Sequence, residues 1–327
     1  MNTFKFNNCL IKPFYGDLPN PDNPTVAYHY TSPNAFLSII KDGFIRFSDI
    51  EYMNDKSELV YVYKVLIDFL KEHKDQYSFT WRVLNELIGA ENYSEIQSLR
   101  ATHILYKELP NLPIVSSRMF LFCLAMERDS LNMWNYYVQS GNYEGYNIGL
   151  DIYKFLSTFE TPEQFTADPF VVRYGQIIYE KQQQLQYIKA EVDKIERLQK
   201  DKTVDLAACT LRMDLQRLGL FMKHPCFKIE HELRIVIEFS ENKIPHGIDG
   251  AKKYFGPNNH EITEDFCIKN GILVPFLKVR LPQESIVDVT VSPIMEYDLA
   301  QKSIAELLNI KQYPHINIKQ SEIPIRY

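Results

Sequence analysis

The stretch from Phe227 to Phe239, FKIEHELRIVIEF, decides how this chain is read. Alternation along a strand puts Ile229, Leu233, Ile235, Ile237 and Phe239 on one face, with His231 beside them. The other face then carries Glu230, Glu232, Arg234, Val236 and Glu238. Two carboxylates spaced this way lie roughly 7 Å apart, near enough to serve one ligand and too far to share a proton comfortably. The pair is therefore a candidate site. The competing reading is an edge strand whose charges discourage aggregation, or a solvated face with Arg234 as a cross-strand partner. Taken alone, the strand favours this second reading.

Outward from this segment, helices and strands are interspersed. TVAYHYT (25–31) predicts a strand; Ser32-Pro33 then supplies a cap and a first-turn proline for a short helix that ends at Gly43. FIRFSDI is a second strand, and MNDKSELVYVYKVLIDFLKEHK a strong helix. Residues 78–108 read as helical, RMFLFCLAM (118–126) as a buried strand, SLNMWNYYVQSG (130–141) as a helix and GYNIGLD (145–151) as a strand. PFVVRYGQIIY adds β content before a long helical stretch from Glu180 to about Leu220, broken near 201–204. Beyond a loop around 241–270 come ILVPFLKVRL and SIVDVTVS, with Pro275 marking the first as an edge or irregular strand, and a final helix from Pro293 to Leu308.

No regular strand-helix-strand rhythm, glycine fingerprint or phosphate loop occurs, which argues against a doubly wound sheet. The expected fold is α+β. It reads as a single domain over residues 25–327 that carries two helical insertions near 55–110 and 180–221, and the distant transferase resemblance given below implies a mixed or antiparallel split sheet as its core. Residues 1–24 read as an irregular arm.

Composition narrows the function classes. The charge balance of 36 basic against 42 acidic residues, net −6, with no basic run, gives no footprint for general nucleic-acid or anionic-membrane binding. Five scattered cysteines without a Cys-x-x-Cys pair suit a reduced cytoplasmic protein without structural zinc. No apolar run approaches the roughly 20 residues of a membrane span. The 21 Tyr and 20 Phe support β content more than any particular activity.

Several side chains could carry chemistry. His29 and Thr31 share one strand face and could together hold ribose hydroxyls, because both donate and accept hydrogen bonds. A lone strand histidine is more often structural. Asn54, Asp55 and Glu58 open a helix, where caps and dipole partners are the default. Met133, Trp134, Tyr136 and Tyr137 lie in one helix, where core packing competes with stacking on a base or nicotinamide ring. A metal-dependent nuclease would need Glu230, Glu232 and Asp151 to converge in space, since no metal-ligand spacing is present.

Taken together, His29-Tyr30-Thr31, IRFSDIEYMNDKSE (45–58), CLAMERDSLNMWNYYVQSGNYEGYNIGLD (123–151) and KHPCFKIEHELRIV (223–236) resemble a bacterial domain-of-unknown-function family. Its marks are His-Tyr-Thr, Asn-Asp-x-x-Glu, Met-Trp-x-x-Tyr and Glu-x-Glu-x-Arg blocks in this order, over about residues 25–295 here. More distantly, the opening strand with His29, the helix, Gly43 and FIRFS, and the closing strand led by Glu232, resemble ADP-ribosyltransferases of the His-Tyr-Glu type. That resemblance implies NAD as substrate, with His29, Tyr30 and Thr31 at its ribose and carboxamide. Glu232 would polarise the nicotinamide ribose, Glu230 would orient the acceptor, and Arg234 would pair with a carboxylate or phosphate. Asn54, Trp134 and Tyr137 would line the same cleft. The acceptor would be a macromolecule or water, in a toxin or defence setting. A catalytically silent nucleotide sensor and the nuclease are the alternatives.

Overall fold

The computed structural model describes residues 11–13, 24–53, 57–88, 117–138, 143–157, 159, 170–200, 203–240, 262–269, 271–314 and 316–325. The chain divides into two compact units. One comprises residues 1–52, 116–176 and 229–327, and the other residues 53–115 and 177–228.

The first unit is a mixed sheet with short helices. Its strands are β1 (Ile11–Pro13), β2 (Val26–Thr31), β3 (Phe44–Asp49), β4 (Ser117–Ala125), β5 (Tyr146–Asp151), β6 (Phe170–Gln176), β7 (Glu232–Ser240), β8 (Ile262–Lys269), β9 (Ile272–Arg280), β10 (Ile286–Val291) and β11 (Asn317–Gln320). The main path runs β1-β6-β7-β4-β2-β5-β10-β11. The pairs β1/β6 and β10/β11 are parallel and the rest antiparallel. The sheet forks at β4. One edge of that strand meets β2 at Ala125 and β3 at Phe120 and Leu121, so β3-β9-β8 forms a second branch. Arg118 ties the branch to the trunk with one guanidinium nitrogen 2.7 Å from Asp49 and another 2.6 Å from Glu264.

One sheet face is apolar because alternate residues of each strand are. Ala27, Phe122, Leu124, Ile148, Leu150, Leu233, Ile235, Ile237 and Phe239 enter one buried cluster. Helix α1 (Pro33–Asp42) adds Phe36, Ile39 and Ile40 to it. Local chemistry sets the limits of α1. Ser32 accepts from the amide of Ala35 at 3.3 Å, and Gly43 adopts φ +70°, where its N–H reaches the Ile39 carbonyl.

The second unit is helical. It contains α2 (Ser57–Glu72) and α3 (Ser78–Ile88) and, after the short α4 (Leu131–Tyr137) and α5 (Ile152–Ser157) of the first unit, α6 (Lys181–Arg197) and α7 (Val204–Gly219). Burial of Gln184, Ile188, Val192 and Ile195 follows helical spacing along α6. Polar clasps join the two sequence segments: Tyr77 donates to Asp193, the Thr80 hydroxyl to Glu196 and Tyr61 to Gln184. The two segments read as helical insertions thus form one body. The final helix, α8 (Tyr297–Ile310), belongs to the sheet unit.

Several sequence expectations are corrected. The segment 227–239 is not one strand: Pro225–Glu230 is a 3-10 turn, and His231 takes φ +40°, so pairing begins only at Glu232. Nor is β7 an edge, because β4 and β6 flank it. Strand β8 and the arm strand β1 fall where a loop and an irregular segment were expected. Strand β9 lies between β3 and β8, yet its pairing with β3 stops at Phe276. Pro275 therefore falls where only β8 is a neighbour, and its missing N–H interrupts no ladder toward β3. Helix α8 starts at Tyr297 rather than Pro293, since residues 293–295 form a turn.

Candidate functional site

Register determines which side chains can meet. Glu232 opposes Ala125, Ala125 opposes Tyr28, Tyr28 opposes Gly149, and Gly149 opposes Asp288. Directly opposed residues share a face, so these five define a polar face across five strands. His29 and Thr31 point to the other side. The imidazole of His29 packs 4.8 Å from the ring of Phe122, a member of the apolar cluster. Its ring is desolvated although the side chain keeps some exposure. That burial pushes its pKa down to about 4, against a smaller upward pull from a hydrogen bond to the Cys123 backbone. His29 is a neutral core histidine, on the face opposite Glu232. The pairing of these two residues across one cleft, implied by the transferase resemblance, is not formed.

Glu232 and Arg234 sit on the polar face as a closed fork. Arg234 Nε lies 2.5 Å from one carboxylate oxygen of Glu232 and a terminal nitrogen lies 3.1 Å from the other. Arg234 is 1 % exposed and Glu232 is buried. One strand over, Arg173 donates to Glu238 at 3.0 Å. The buried charges at this end of the face are matched in pairs.

Glu230 has a different setting. Lying in the turn before β7, it accepts from the Tyr137 hydroxyl at 3.0 Å. The adjacent His231 places Nδ1 2.7 Å from a carboxylate oxygen of Glu127, with both side chains about half exposed at 44 and 50 %. A left-handed φ is uncommon for a residue with a side chain, and it costs roughly 1–3 kcal/mol where it is held in place. Here the His231 carbonyl accepts from the amide of Met126, which fixes the conformation beside Glu127. With Nδ1 turned to Glu127, the other ring nitrogen, Nε2, is the one that faces away from this contact. Sequence reasoning misses His231 and Glu127. The Glu-x-Glu periodicity counts His231 as an apolar-face strand residue, and nothing in the spacing pairs it with Glu127.

Tyr30, Trp134 and Asp129 form the wall next to this cluster. Trp134 is fully buried, meets Tyr30 edge-on at 4.8 Å, and donates its indole N–H to Asp129 at 2.7 Å. Asp129 also accepts from the Ser321 hydroxyl and the Glu322 amide, each at 2.7 Å. The Tyr30 hydroxyl donates to the Glu127 carbonyl and accepts from the Ser130 amide, and burial pushes its pKa up. Trp134 therefore packs and anchors and offers no free ring face for stacking. Asn54 lies outside the described residues, as does Asp55, and Asp151 caps the start of α5 by accepting from the Lys154 amide at 3.1 Å. Among the described residues no three His, Cys, Asp or Glu side chains are grouped to hold a metal ion. A cavity of about 770 Å³ in the same unit, bordered by Lys41, Lys154, Arg280 and Lys311, includes none of these residues.

Residues 133–235 match the model of a family described as a protein of unknown function, DUF2971. The match opens at Met133 and closes at Ile235, spanning the Met-Trp-x-x-Tyr and Glu-x-Glu-x-Arg blocks. No curated protein and no solved structure matches the chain. No helix among the described residues is long and apolar enough to cross a membrane.

Proposed function

We propose that this protein cleaves the nicotinamide-ribose bond of NAD or a related nucleotide at the Glu230–His231 corner, passing ADP-ribose to water or to a macromolecular acceptor. The observation that carries the reading is the Tyr137–Glu230 hydrogen bond beside the close Glu127–His231 contact, two pairs that start from adjacent residues. The reaction class comes from the resemblance of the sequence blocks to His-Tyr-Glu ADP-ribosyltransferases, although the roles that the resemblance implies for His29 and Glu232 are not kept here.

The chemistry divides between the dyads. As the bond from the ribose C1′ to the nicotinamide nitrogen breaks, its electron pair leaves with nicotinamide and positive charge builds on the sugar. The carboxylate of Glu230 stabilises that charge. Water or an acceptor hydroxyl then forms the new bond to C1′, and its proton passes to Nε2 of His231, whose imidazolium is held by Glu127. Glu232 has a positioning role, orienting Arg234 at the head of β7. His29 has no part in the reaction.

Nicotinamide release from NAD tests this. We expect Glu230→Gln and His231→Ala each to lower release by roughly 10²–10⁴-fold, while His29→Phe retains it at neutral pH. Release unchanged in both corner variants would overturn the site. A second reading, a nucleotide sensor without turnover, is favoured by one feature: both oxygens of Glu232 are occupied by Arg234. NAD binding without nicotinamide release would select it.

A further inference from the structure

The cavity of about 770 Å³ in the sheet unit lies where several segments end or turn. The C-terminal end of α1 brings Lys41, Asp42 and Gly43, and α5 brings Lys154 and Ser157. The end of β9 and the turn after it bring Arg280, Gln283 and Glu284, and the segment after α8 brings Lys311 and Tyr313. Hydrogen bonds between these segments hold the walls in place. Tyr313 donates its hydroxyl to the Ile40 carbonyl at 3.2 Å, Lys311 its ammonium to the Lys41 carbonyl at 3.1 Å, and Gln283 its amide to the Lys311 carbonyl at 3.3 Å. The Leu281 N–H donates to the Gly43 carbonyl at 2.8 Å. Carbonyls at helix C-termini carry partial negative charge and repel anions. Here donors already cover them.

The charge that remains is mostly positive. Lys41, Lys154, Arg280 and Lys311 line the cavity against Asp42 and Glu284, in a chain whose net charge is −6. Asp42 accepts from the Ser38 hydroxyl at 3.0 Å, one turn back along α1 and outside the lining. Lys154 stands 3.7 Å from Asp151, which is outside the lining as well. Lys41 and Arg280 are exposed and have no carboxylate partner among the described residues. Arg280 reaches the Tyr313 wall: burial raises the pKa of that phenol, and the positive charge of Arg280 pulls it back.

A guanidinium offers paired N–H donors and an ammonium a compact charge, a combination that suits phosphate oxygens. The volume falls within the range of small-molecule sites, about 300–1,000 Å³. Ile40, Leu281 and Pro282 are buried, so the cavity meets mainly polar groups and gives an acyl chain no wall. A single carboxylate would leave most of the positive charge unmatched. We propose that this cavity binds the diphosphate group of a small molecule, with Arg280 and Lys41 as its main ligands and Lys154 and Lys311 completing the charge. The site shares no residue with the Glu230–His231 corner, and inorganic pyrophosphate has no nicotinamide bond for that corner to break. Failure of either proposal leaves the other standing.

Inorganic pyrophosphate, ADP and adenosine are the probes, titrated by calorimetry into the full chain without divalent metal, at about 0.15 M salt so that general ionic attraction is screened. Pyrophosphate and ADP are expected to bind and adenosine is not. Equal affinities for the first two would assign the site to the diphosphate alone, and tighter binding of ADP would assign it to a nucleotide; both outcomes support the proposal. Arg280→Gln and Lys41→Gln should each weaken pyrophosphate binding by about tenfold. Glu284→Gln should tighten it, an effect that damage to the fold would not produce, and Glu230→Gln should leave it unchanged. The three cavity side chains are exposed, and thermal unfolding without ligand confirms that the variants are folded. No pyrophosphate binding at roughly millimolar concentration, sulfate bound as tightly as pyrophosphate, adenosine bound as tightly as ADP, or an affinity unmoved in both Arg280→Gln and Lys41→Gln would each overturn the proposal.

Discussion

The two ends of one polar sheet face solve the same problem in opposite ways. Around β7 the buried charges are matched: Arg234 closes on Glu232 with two hydrogen bonds, and Arg173 meets Glu238. Around β5 and β10 four buried polar atoms, Asn147 Oδ1, Asp288 Oδ1, Thr290 Oγ1 and Ser292 Oγ, meet no partner. Both ends belong to one sheet, so the difference lies in what the side chains are committed to. A matched buried pair is set by folding, and it resists a ligand that would have to break it. An unmatched buried group carries a desolvation cost that no side-chain partner offsets. The lesson is that the conspicuous charges of Glu-x-Glu-x-Arg are in part architecture, while the less conspicuous Asn, Thr and Ser carry the uncompensated polar burial.

The sharpest way to break this comparison is to open the fork. Arg234→Met leaves the Glu232 carboxylate buried without its guanidinium, for which we expect a loss of about 3–5 kcal/mol of unfolding free energy, read by urea denaturation. Replacing both partners, Glu232→Leu with Arg234→Met, should recover most of that loss, because the cost lies in the stranded charge. A single-variant loss below about 1 kcal/mol would mean that the β7 end is no better matched than a surface pair.

His29 provides a second contrast, between the two faces. Its pKa is about 4 in the folded chain against an ordinary 6.5, so the unfolded state binds the extra proton first as pH falls. Stability from the neutral, buried ring is complete above pH 6.5 and is lost as pH drops through 6.5 toward 4. The full loss amounts to roughly 3 kcal/mol, since each tenfold change in proton affinity is worth about 1.36 kcal/mol. His29→Phe should flatten this part of the stability-pH curve while leaving nicotinamide release intact at neutral pH. An unchanged curve in the variant would show that another group is responsible.

How much of this was legible in the sequence depended on how local the cause is. The limits of α1 follow from Ser32, Pro33 and Gly43, and the apolar faces of β4, β5 and β10 from their residue types, so those elements could be read directly. The break before β7 could not. Alternation of Ile229, His231 and Leu233 looks continuous, and only the backbone turn at His231 shows that Glu230 precedes the strand. Burial of Glu232 was hidden for a related reason. Whether a charged strand is central or at an edge depends on pairing with β4 and β6, more than 50 residues away in sequence. The Glu127–His231 dyad and the Asn147–Thr290 patch are likewise products of register. For Trp134 the spacing left core packing and ring stacking open, and its indole N–H is spent on Asp129, which no helical spacing reveals.

That indole gives a smaller effect. Asp129 gathers Trp134, Ser321 and Glu322, linking the segment before α4 to the C-terminal segment. Trp134→Phe removes one charge-assisted hydrogen bond and keeps most of the ring, so we expect about 1.5–3 kcal/mol of destabilisation. Hydrogen exchange at the Glu322 amide should quicken in step, and unchanged protection there would show that the tail is held independently of Asp129.

The smallest expected effect discriminates most sharply between the two ends of the face. Thr290→Val replaces a buried hydroxyl by a methyl group of nearly the same shape. Where a hydroxyl has a bonded partner, its removal strands that partner and costs about 1–3 kcal/mol. Thr290 has none in the folded chain. Valine there loses no protein-protein hydrogen bond and removes the penalty of desolvating an unpaired oxygen. Unfolding free energy should therefore stay within about 0.5 kcal/mol of the parent or rise. A fall of more than about 1 kcal/mol in the ligand-free variant would mean that Thr290 is already satisfied, for instance through ordered water. The β5–β10 end would then be as fully committed as the β7 end, and the two would differ only in whether the partner is a side chain or solvent.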